Sequence, residues 1–72
     1  MQRRLRVKLN LPVLIDHRSR EEGRRLSEEE VLTWLNDAGF VRQDTTYWIV
    51  LERDLGQVEP DEVLEVQDLE SN

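Results

Sequence analysis

The sequence predicts an α+β domain: a small three-stranded, mostly antiparallel sheet with one helix packed on one face, in the order β-α-β-β. Three features of the chain lead to this prediction. Apolar residues alternate with polar ones near the N-terminus, an apolar stripe with helical spacing follows a capping signal, and a run of β-branched and aromatic residues comes after it. One helix suffices to cover one face of such a sheet. We expect the 72 residues to form one domain, residues 1–72.

The first predicted strand covers residues 5–15. Every second residue from Leu5 to Ile15 is apolar, and most residues between them are polar or basic, as in a strand with one buried face. Pro12 has no N–H to donate to a neighbouring strand. It therefore places this strand at a sheet edge, or marks a bulge or the point where pairing stops.

A polar, arginine-rich segment, residues 16–25, follows without useful apolar periodicity, which predicts a mobile loop. Its arginines are the best candidates for an anion or nucleic-acid contact, because phosphate binding needs several cations on one surface. Glu21 and Glu22 interrupt the segment, and no aromatic residue lies among the arginines to stack on a base. A solvated loop is therefore the favoured interpretation. The candidate residues are Arg18, Arg20, Arg24 and Arg25, which Arg4, Arg6 and Lys8 of the first strand would extend into a basic stripe.

The helix is predicted over residues 28–38. Ser27 and Glu30 have the identity and spacing of a capping box, and three glutamates occupy the first turn, where the helix dipole favours negative charge. Gly39 follows as a C-terminal signal. The apolar stripe consists of Val31, Trp34, Leu35 and Ala38.

A central strand is predicted over residues 45–53, because both of its faces are apolar. If the helix covers the face that carries Ile49, then Trp48, Val50 and Leu14 lie on the open face of the sheet. An exposed apolar patch that contains Trp is typical of an interface, so we predict that these three residues bind a partner. The alternative is that the last segment of the chain, or the loop after the helix, folds over that face.

The C-terminal part begins with a turn near residues 54–60. Residues 61–69 favour a third strand, although Pro60 and the acidic residues behind it would also suit the start of a short helix. Residues 70–72 are expected to fray.

No arrangement typical of catalysis, cofactor binding or metal binding is evident in the sequence. His17 is the only histidine, and no second soft ligand is near it, so we expect a solvated loop histidine. The three glycines are too far apart to form a phosphate-binding loop. The chain has no cysteine and no apolar run of the roughly 18 residues that span a membrane. We therefore expect a cytoplasmic protein that is not an enzyme, has no cofactor and does not bind membranes.

Charge is distributed unevenly along the chain. The net charge is −6, but residues 1–26 contain eight Lys or Arg and three Asp or Glu, whereas residues 27–72 contain two and thirteen. This asymmetry is typical either of a basic nucleic-acid arm on an acidic body or of a basic strand that lies against an acidic one. We favour the second interpretation because cross-strand charge pairs are common in sheets.

Taken together, these patterns predict a non-catalytic protein-interaction or regulatory module. It would act as a homodimer or as the partner of a larger protein, through the sheet face around Trp48 and Val50. The alternative is nucleic-acid or anion binding through the arginines of residues 18–25 and the basic first strand. A third hypothesis is that the acidic second half occupies a basic partner.

Overall fold

The computed structural model describes residues 2–70, which form a four-stranded antiparallel sheet with two α-helices on one face. The predicted α+β class is confirmed, with one more strand and one more helix than expected. The elements in chain order are β1 (Arg4–Leu9), α1 (Leu11–Glu22), α2 (Glu28–Asp37), β2 (Val41–Arg42), β3 (Tyr47–Leu51), two short 3₁₀ helices (Glu52–Gln57 and Pro60–Glu62) and β4 (Val63–Asp68).

Strand β1 lies inside the sheet, whose strand order is β2-β3-β1-β4. It pairs antiparallel with β3 on one side and with β4 on the other. Its alternation places the apolar side chains of Leu5, Val7 and Leu9 in the core. Its basic side chains lie on the opposite, open face, which no helix covers.

The predicted strand over residues 5–15 is wrong beyond Leu9, because the chain turns there into helix α1. Asn10 caps this helix, and its side-chain oxygen accepts a hydrogen bond from the N–H of Val13 at 3.3 Å. Pro12 lies in the first turn, where a helical N–H has no partner within the helix, so proline is tolerated. Pro12, a predicted edge, bulge or end of strand pairing, thus belongs to the first turn of a helix.

The predicted loop over residues 16–25 is also wrong, since α1 continues to Glu22. Leu11, Leu14 and Ile15 are buried along the helix, a spacing that also fits part of an alternating pattern. Gly23 ends the helix with φ 71°, a left-handed conformation that favours glycine.

Helix α2 confirms the prediction for residues 28–38. Both bonds of the capping box are present, because Glu30 N–H donates to Ser27 Oγ at 3.1 Å and Ser27 N–H donates to Glu30 Oε1 at 3.0 Å. Gly39 follows the helix with φ 98°. A Cβ at this position would come within 2.8 Å of the Asp54 carboxylate, which would then have to move aside.

The prediction that Trp48 and Val50 lie on the open face of the sheet is wrong, because they lie on the face that the helices cover. Trp48 stands opposite Val7 and Val50 stands opposite Leu5, so both side chains share the core face of β1. Trp48 and Val50 are each 1% exposed, and Leu14 belongs to the buried stripe of α1. These three residues form part of the core and are not available to a partner in the folded domain.

The connection from β3 to β4 crosses the helix-covered face of the sheet. Both strands flank β1 and run antiparallel to it, so the chain returns between them through residues 52–62. Val58 joins the core from this connection. The strand predicted over residues 61–69 is confirmed as β4, and the helical alternative accounts for the 3₁₀ turn just before it.

The predicted frayed tail, residues 70–72, lies mostly outside the described residues. Glu70 is described, and its carboxylate accepts a hydrogen bond from Arg4 Nε at 2.8 Å. Within residues 2–70, no helix combines the length and apolar character that crossing a bilayer requires.

Candidate functional site

Exposed apolar side chains concentrate at the C-terminal strand. Leu64 is 54% exposed and Val66 52% exposed, and Leu69 just beyond β4 is also exposed. Strand β4 stands at one end of the sheet, so one of its edges has no strand partner. The strand contains no proline or lysine, two residues that commonly protect free edges. An edge with exposed apolar residues is a surface on which another chain can pair.

The ladder between β1 and β4 shows which main-chain groups lie on this free edge. Leu69 N–H donates to the carbonyl oxygen of Arg4 at 3.0 Å, so Arg4 belongs to the hydrogen-bonded pairs of the ladder. Such pairs alternate with non-bonded pairs in an antiparallel sheet. Glu65 and Gln67 therefore direct their N–H and C=O groups toward β1. Val66 and Asp68 direct theirs away from the sheet.

An apolar groove of about 550 Å³ lies beside this edge, on the helix-covered side. It forms between β4 and the crossing connection, which together supply all of its lining residues. Val66 is on this side, since it stands opposite the core residue Val7. The groove is lined by Glu52, Leu55, Gly56, Val58, Glu59, Pro60, Val63 and Val66.

The free edge and the groove are acidic. Residues 59–70 contain six Asp or Glu and no Lys or Arg. The inner side of the segment is neutralised by the N-terminal residues, since Arg3 pairs with Asp68 at 2.8 Å and Arg4 pairs with Glu70 at 2.8 Å. The basic N-terminal strand thus lies against the acidic C-terminal one, as expected from the charge distribution.

The opposite edge of the sheet is much shorter. Strand β2 has two residues, Val41 and Arg42, and pairs with β3 only at these positions. Val41 is 62% exposed, comparable to Val66. A single exposed valine on a two-residue strand offers little main chain for pairing, so β4 is the edge with the greater capacity to bind a chain.

The four candidate arginines do not form an unopposed basic surface. Two of them lie on α1 rather than in a loop, and all four lie near carboxylates. The basic residues of β1 are on the open face of the sheet, whereas α1 covers the other face, so the expected continuous stripe does not form. The ion pairs are Arg18–Glu21 at 3.5 Å, Arg20–Asp16 at 2.8 Å, Arg24–Glu30 at 2.7 Å and Arg25–Asp16 at 3.9 Å.

Two of these arginines have structural roles at the helices. The Arg18 guanidinium lies 4.2 Å from the centre of the Trp34 ring, a cation–π contact between α1 and α2. The hydrogen bond from Arg24, together with the capping bonds to Ser27, lowers the pKa of Glu30 to about 2.

The open face of the sheet has its own polar network around Tyr47. The Arg6 guanidinium lies 3.8 Å from the centre of the Tyr47 ring, and Arg6 Nε donates to Gln43 at 2.6 Å. The Tyr47 hydroxyl donates to Glu65 at 3.1 Å. The Arg6 guanidinium on this face therefore already contacts an aromatic ring and a side-chain amide.

His17 is not a solvated loop residue. It lies on α1 with its side chain only 25% exposed, and its Nδ1 is 2.8 Å from Glu62 Oε2. Glu62 is buried, with its side chain 4% exposed. The hydrogen bond to Glu62 raises the pKa of His17. His17, Glu59 and Glu62 each present a ligand atom within 4.8 Å of the others, so these residues are the group that could hold a metal ion.

The edge residues Leu64 and Val66 were not singled out in the sequence. Their strand is evident from its β-branched residues, but its place at the end of the sheet depends on pairing with a strand about sixty residues earlier. The available signal was a C-terminal strand with apolar residues at Leu64 and Val66. No protein-family model, curated protein or solved structure matches this chain.

Proposed function

We propose that this protein is a non-catalytic interaction module that binds an extended segment of another protein along the free edge of β4. The segment adds a fifth strand to the sheet, and its side chains on one side enter the adjacent apolar groove. The observation that carries this proposal is the outward direction of the Val66 and Asp68 main-chain groups beside exposed apolar side chains. Main-chain hydrogen bonds supply affinity in such strand addition, and pockets for alternate side chains supply specificity.

The chemistry of the edge favours a segment in which basic and apolar residues alternate. Strand β1 is a segment of this kind on the inner edge of β4. It directs its apolar residues to the helix-covered face and its basic residues to the open face, where Lys8 stands opposite Glu65. A strand on the outer edge meets the same two faces. Its apolar residues would meet the groove beside Val66, and its basic residues would meet Glu65.

The acidic rim of the groove supports the same occupant. Glu52 and Glu59 line the groove, and no Lys or Arg does. A second copy of this chain is a poorer occupant, because pairing of β4 with β4 would bring two segments of six acidic residues together. The interaction surface therefore lies on β4 and not at Trp48 and Val50.

Binding of a labelled synthetic peptide in which lysine alternates with valine and leucine tests this proposal. Fluorescence anisotropy measures its affinity for the wild type and for two matched variants, Val66→Lys and Val41→Lys. Both replace an exposed edge valine and change the net charge equally. We expect Val66→Lys to weaken binding at least tenfold, because it places a cation and a long side chain beside the groove. We expect Val41→Lys to leave the affinity unchanged.

A peptide of the same composition, with the lysines grouped in one block, controls for charge attraction alone. Screening by salt weakens electrostatic attraction for both peptides, whereas strand pairing retains the preference for the alternating one. Equal affinity for the two peptides, equal affinity of the two variants, or no saturable binding of the alternating peptide would each contradict the proposal. A dimer in solution that Val66→Lys dissociates would replace it with self-association.

A further inference from the structure

Helix α1 is tied to the turn before β4 by a pair of side chains, one of which is buried. His17 Nδ1 lies 2.8 Å from Glu62 Oε2, with the Glu62 side chain only 4% exposed. The other oxygen of Glu62 accepts a hydrogen bond from the N–H of Glu59 at 2.6 Å. Both oxygens of Glu62 and one nitrogen of His17 are thus engaged within the fold. This cluster therefore holds two elements together and does not offer a free set of metal ligands.

The main chain makes the same connection. The N–H of Asn10, the cap of α1, donates to the carbonyl oxygen of Glu62 at 2.8 Å. The N–H of Glu62 in turn donates to the carbonyl oxygen of Glu59 at 2.9 Å. Glu62 thus joins the turn of residues 59–62 to the start of α1 through its main chain, and to His17 within α1 through its side chain.

His17 is the group in this contact that changes charge near neutral pH. It is the only histidine of the chain, and histidine is the side chain whose ordinary pKa lies between pH 5 and 8. The hydrogen bond to Glu62 raises the pKa of His17; partial burial opposes this effect, and the charges of Asp61 and Glu59 add to it. The charge of His17 therefore contributes stability that is fully present below about pH 6.5 and is lost as the pH rises through the raised pKa.

The other charged groups around His17 do not replace its charge. Asp61 Oδ2 lies 3.6 Å from His17 Nε2. Three further charged residues line the surface pocket beside His17: Asp16, Arg20 and Arg25. Both arginines already pair with the aspartate, at 2.8 and 3.9 Å. When His17 loses its proton, the acidic turn loses the cation that faces it, and the buried Glu62 carboxylate loses its counter-charge.

We propose that His17 and Glu62 form a pH-sensitive latch. Protonated His17 holds residues 59–62 against α1, and loss of its proton above neutral pH lets this turn open more often. The physical reason is that a hydrogen bond between two charged groups is stronger than one with a neutral donor. Glu59 and Pro60 of the turn line the groove beside β4, and so does Val63, which follows Glu62 directly. The latch therefore makes the shape of the groove depend on pH.

Amide hydrogen exchange of the free protein tests the latch, without any peptide. NMR measures it at about pH 6 and about pH 8.5, on either side of the expected loss of the proton, with correction for the intrinsic effect of pH on exchange. The Asn10 and Glu62 amides report on the turn, because they donate to its carbonyl oxygens. We expect their protection factors to fall about threefold or more at the higher pH, whereas Leu35 in α2 should change less.

Two variants identify the groups responsible. His17→Gln removes the titrating side chain, so both reporter amides should already have low protection at about pH 6 and show no further step. Asp61→Asn removes the exposed carboxylate beside Nε2 but leaves the bond to Glu62, so the step should remain. Unchanged protection in the wild type, an equal fall at Leu35, or a step that persists in His17→Gln would overturn the proposal. Loss of the step in Asp61→Asn would also overturn it, because the surface pair would then be the source of the pH dependence.

Discussion

At the scale of single residues, burial separates structural side chains from candidate contact residues. Trp48 is 1% exposed, and the Arg42 guanidinium lies 5.4 Å from the centre of its ring. Val66 is half exposed at the edge of the same sheet. Both side chains are apolar, but β3 lies inside the sheet and β4 lies at its end. Residue type alone therefore cannot distinguish the core from the proposed interaction edge.

Trp48→Ala tests the assignment of Trp48 to the core. Removing a buried aromatic side chain typically costs about 3–5 kcal/mol, a large part of the roughly 5–15 kcal/mol of stability in a small domain. We expect urea unfolding to show that the free energy of unfolding of Trp48→Ala is lower by this amount. Trp34→Ala, at a partly exposed position on α2, should cost less. A stable Trp48→Ala variant that has lost peptide binding would show instead that Trp48 belongs to an interface.

At the scale of elements, the sequence predicts best where the signals are local. Helix α2 begins at a capping box and ends near a glycine, and all of these residues are neighbours in the chain. Helix α1 was missed because the apolar residues 11–15 fit both an alternating and a helical pattern. The capping bond of Asn10 to Val13 decides between them, and Pro12 is compatible with both.

The acid sensitivity of α2 follows from its capping box. The pKa of Glu30 is lowered from 4.5 to about 2 by Arg24 and Ser27, so Glu30 contributes stability that is fully present above about pH 4.5. That contribution is lost as the pH falls from about 4.5 to about 2. We expect Glu30→Gln to lose less stability than the wild type between pH 5 and pH 2, as measured by thermal unfolding.

The matched control for this prediction is Glu29→Gln. It removes the same charge from the same helical turn without changing the capping box. We expect its acid profile to follow that of the wild type. If the two variants show identical acid profiles, the capping pair is not the source of this pH dependence.

The face of β3 that becomes buried was not predictable from β3 alone. Both of its faces are apolar in sequence, and the choice depends on β1, whose own alternation is unambiguous up to Leu9. The register places Trp48 opposite Val7 and Ile49 opposite Arg6. Pairing between strands about forty residues apart thus decides which residues enter the core.

At the scale of the whole molecule, the first and the last strands are brought together. The basic β1 lies between β3 and the acidic β4, and ion pairs join the N-terminal residues to the C-terminal ones. This arrangement places three of the ten basic residues, Arg4, Arg6 and Lys8, on the strand that lies beside the acidic β4. It also leaves the acidic β4 with one partner, so its second edge remains open.

Strand β4 has an open outer edge, and the proposed function is that this edge pairs with an extended segment of basic and apolar residues. Amide hydrogen exchange, followed by NMR with and without the alternating peptide, tests it most directly. In the free protein, the Glu65 and Gln67 amides should exchange slowly because they donate to β1, and the Val66 and Asp68 amides should exchange quickly. Saturating peptide should slow exchange at Val66 and Asp68. Protection of these two amides in the free monomer, or exchange there that the bound peptide does not change, would contradict strand addition at β4.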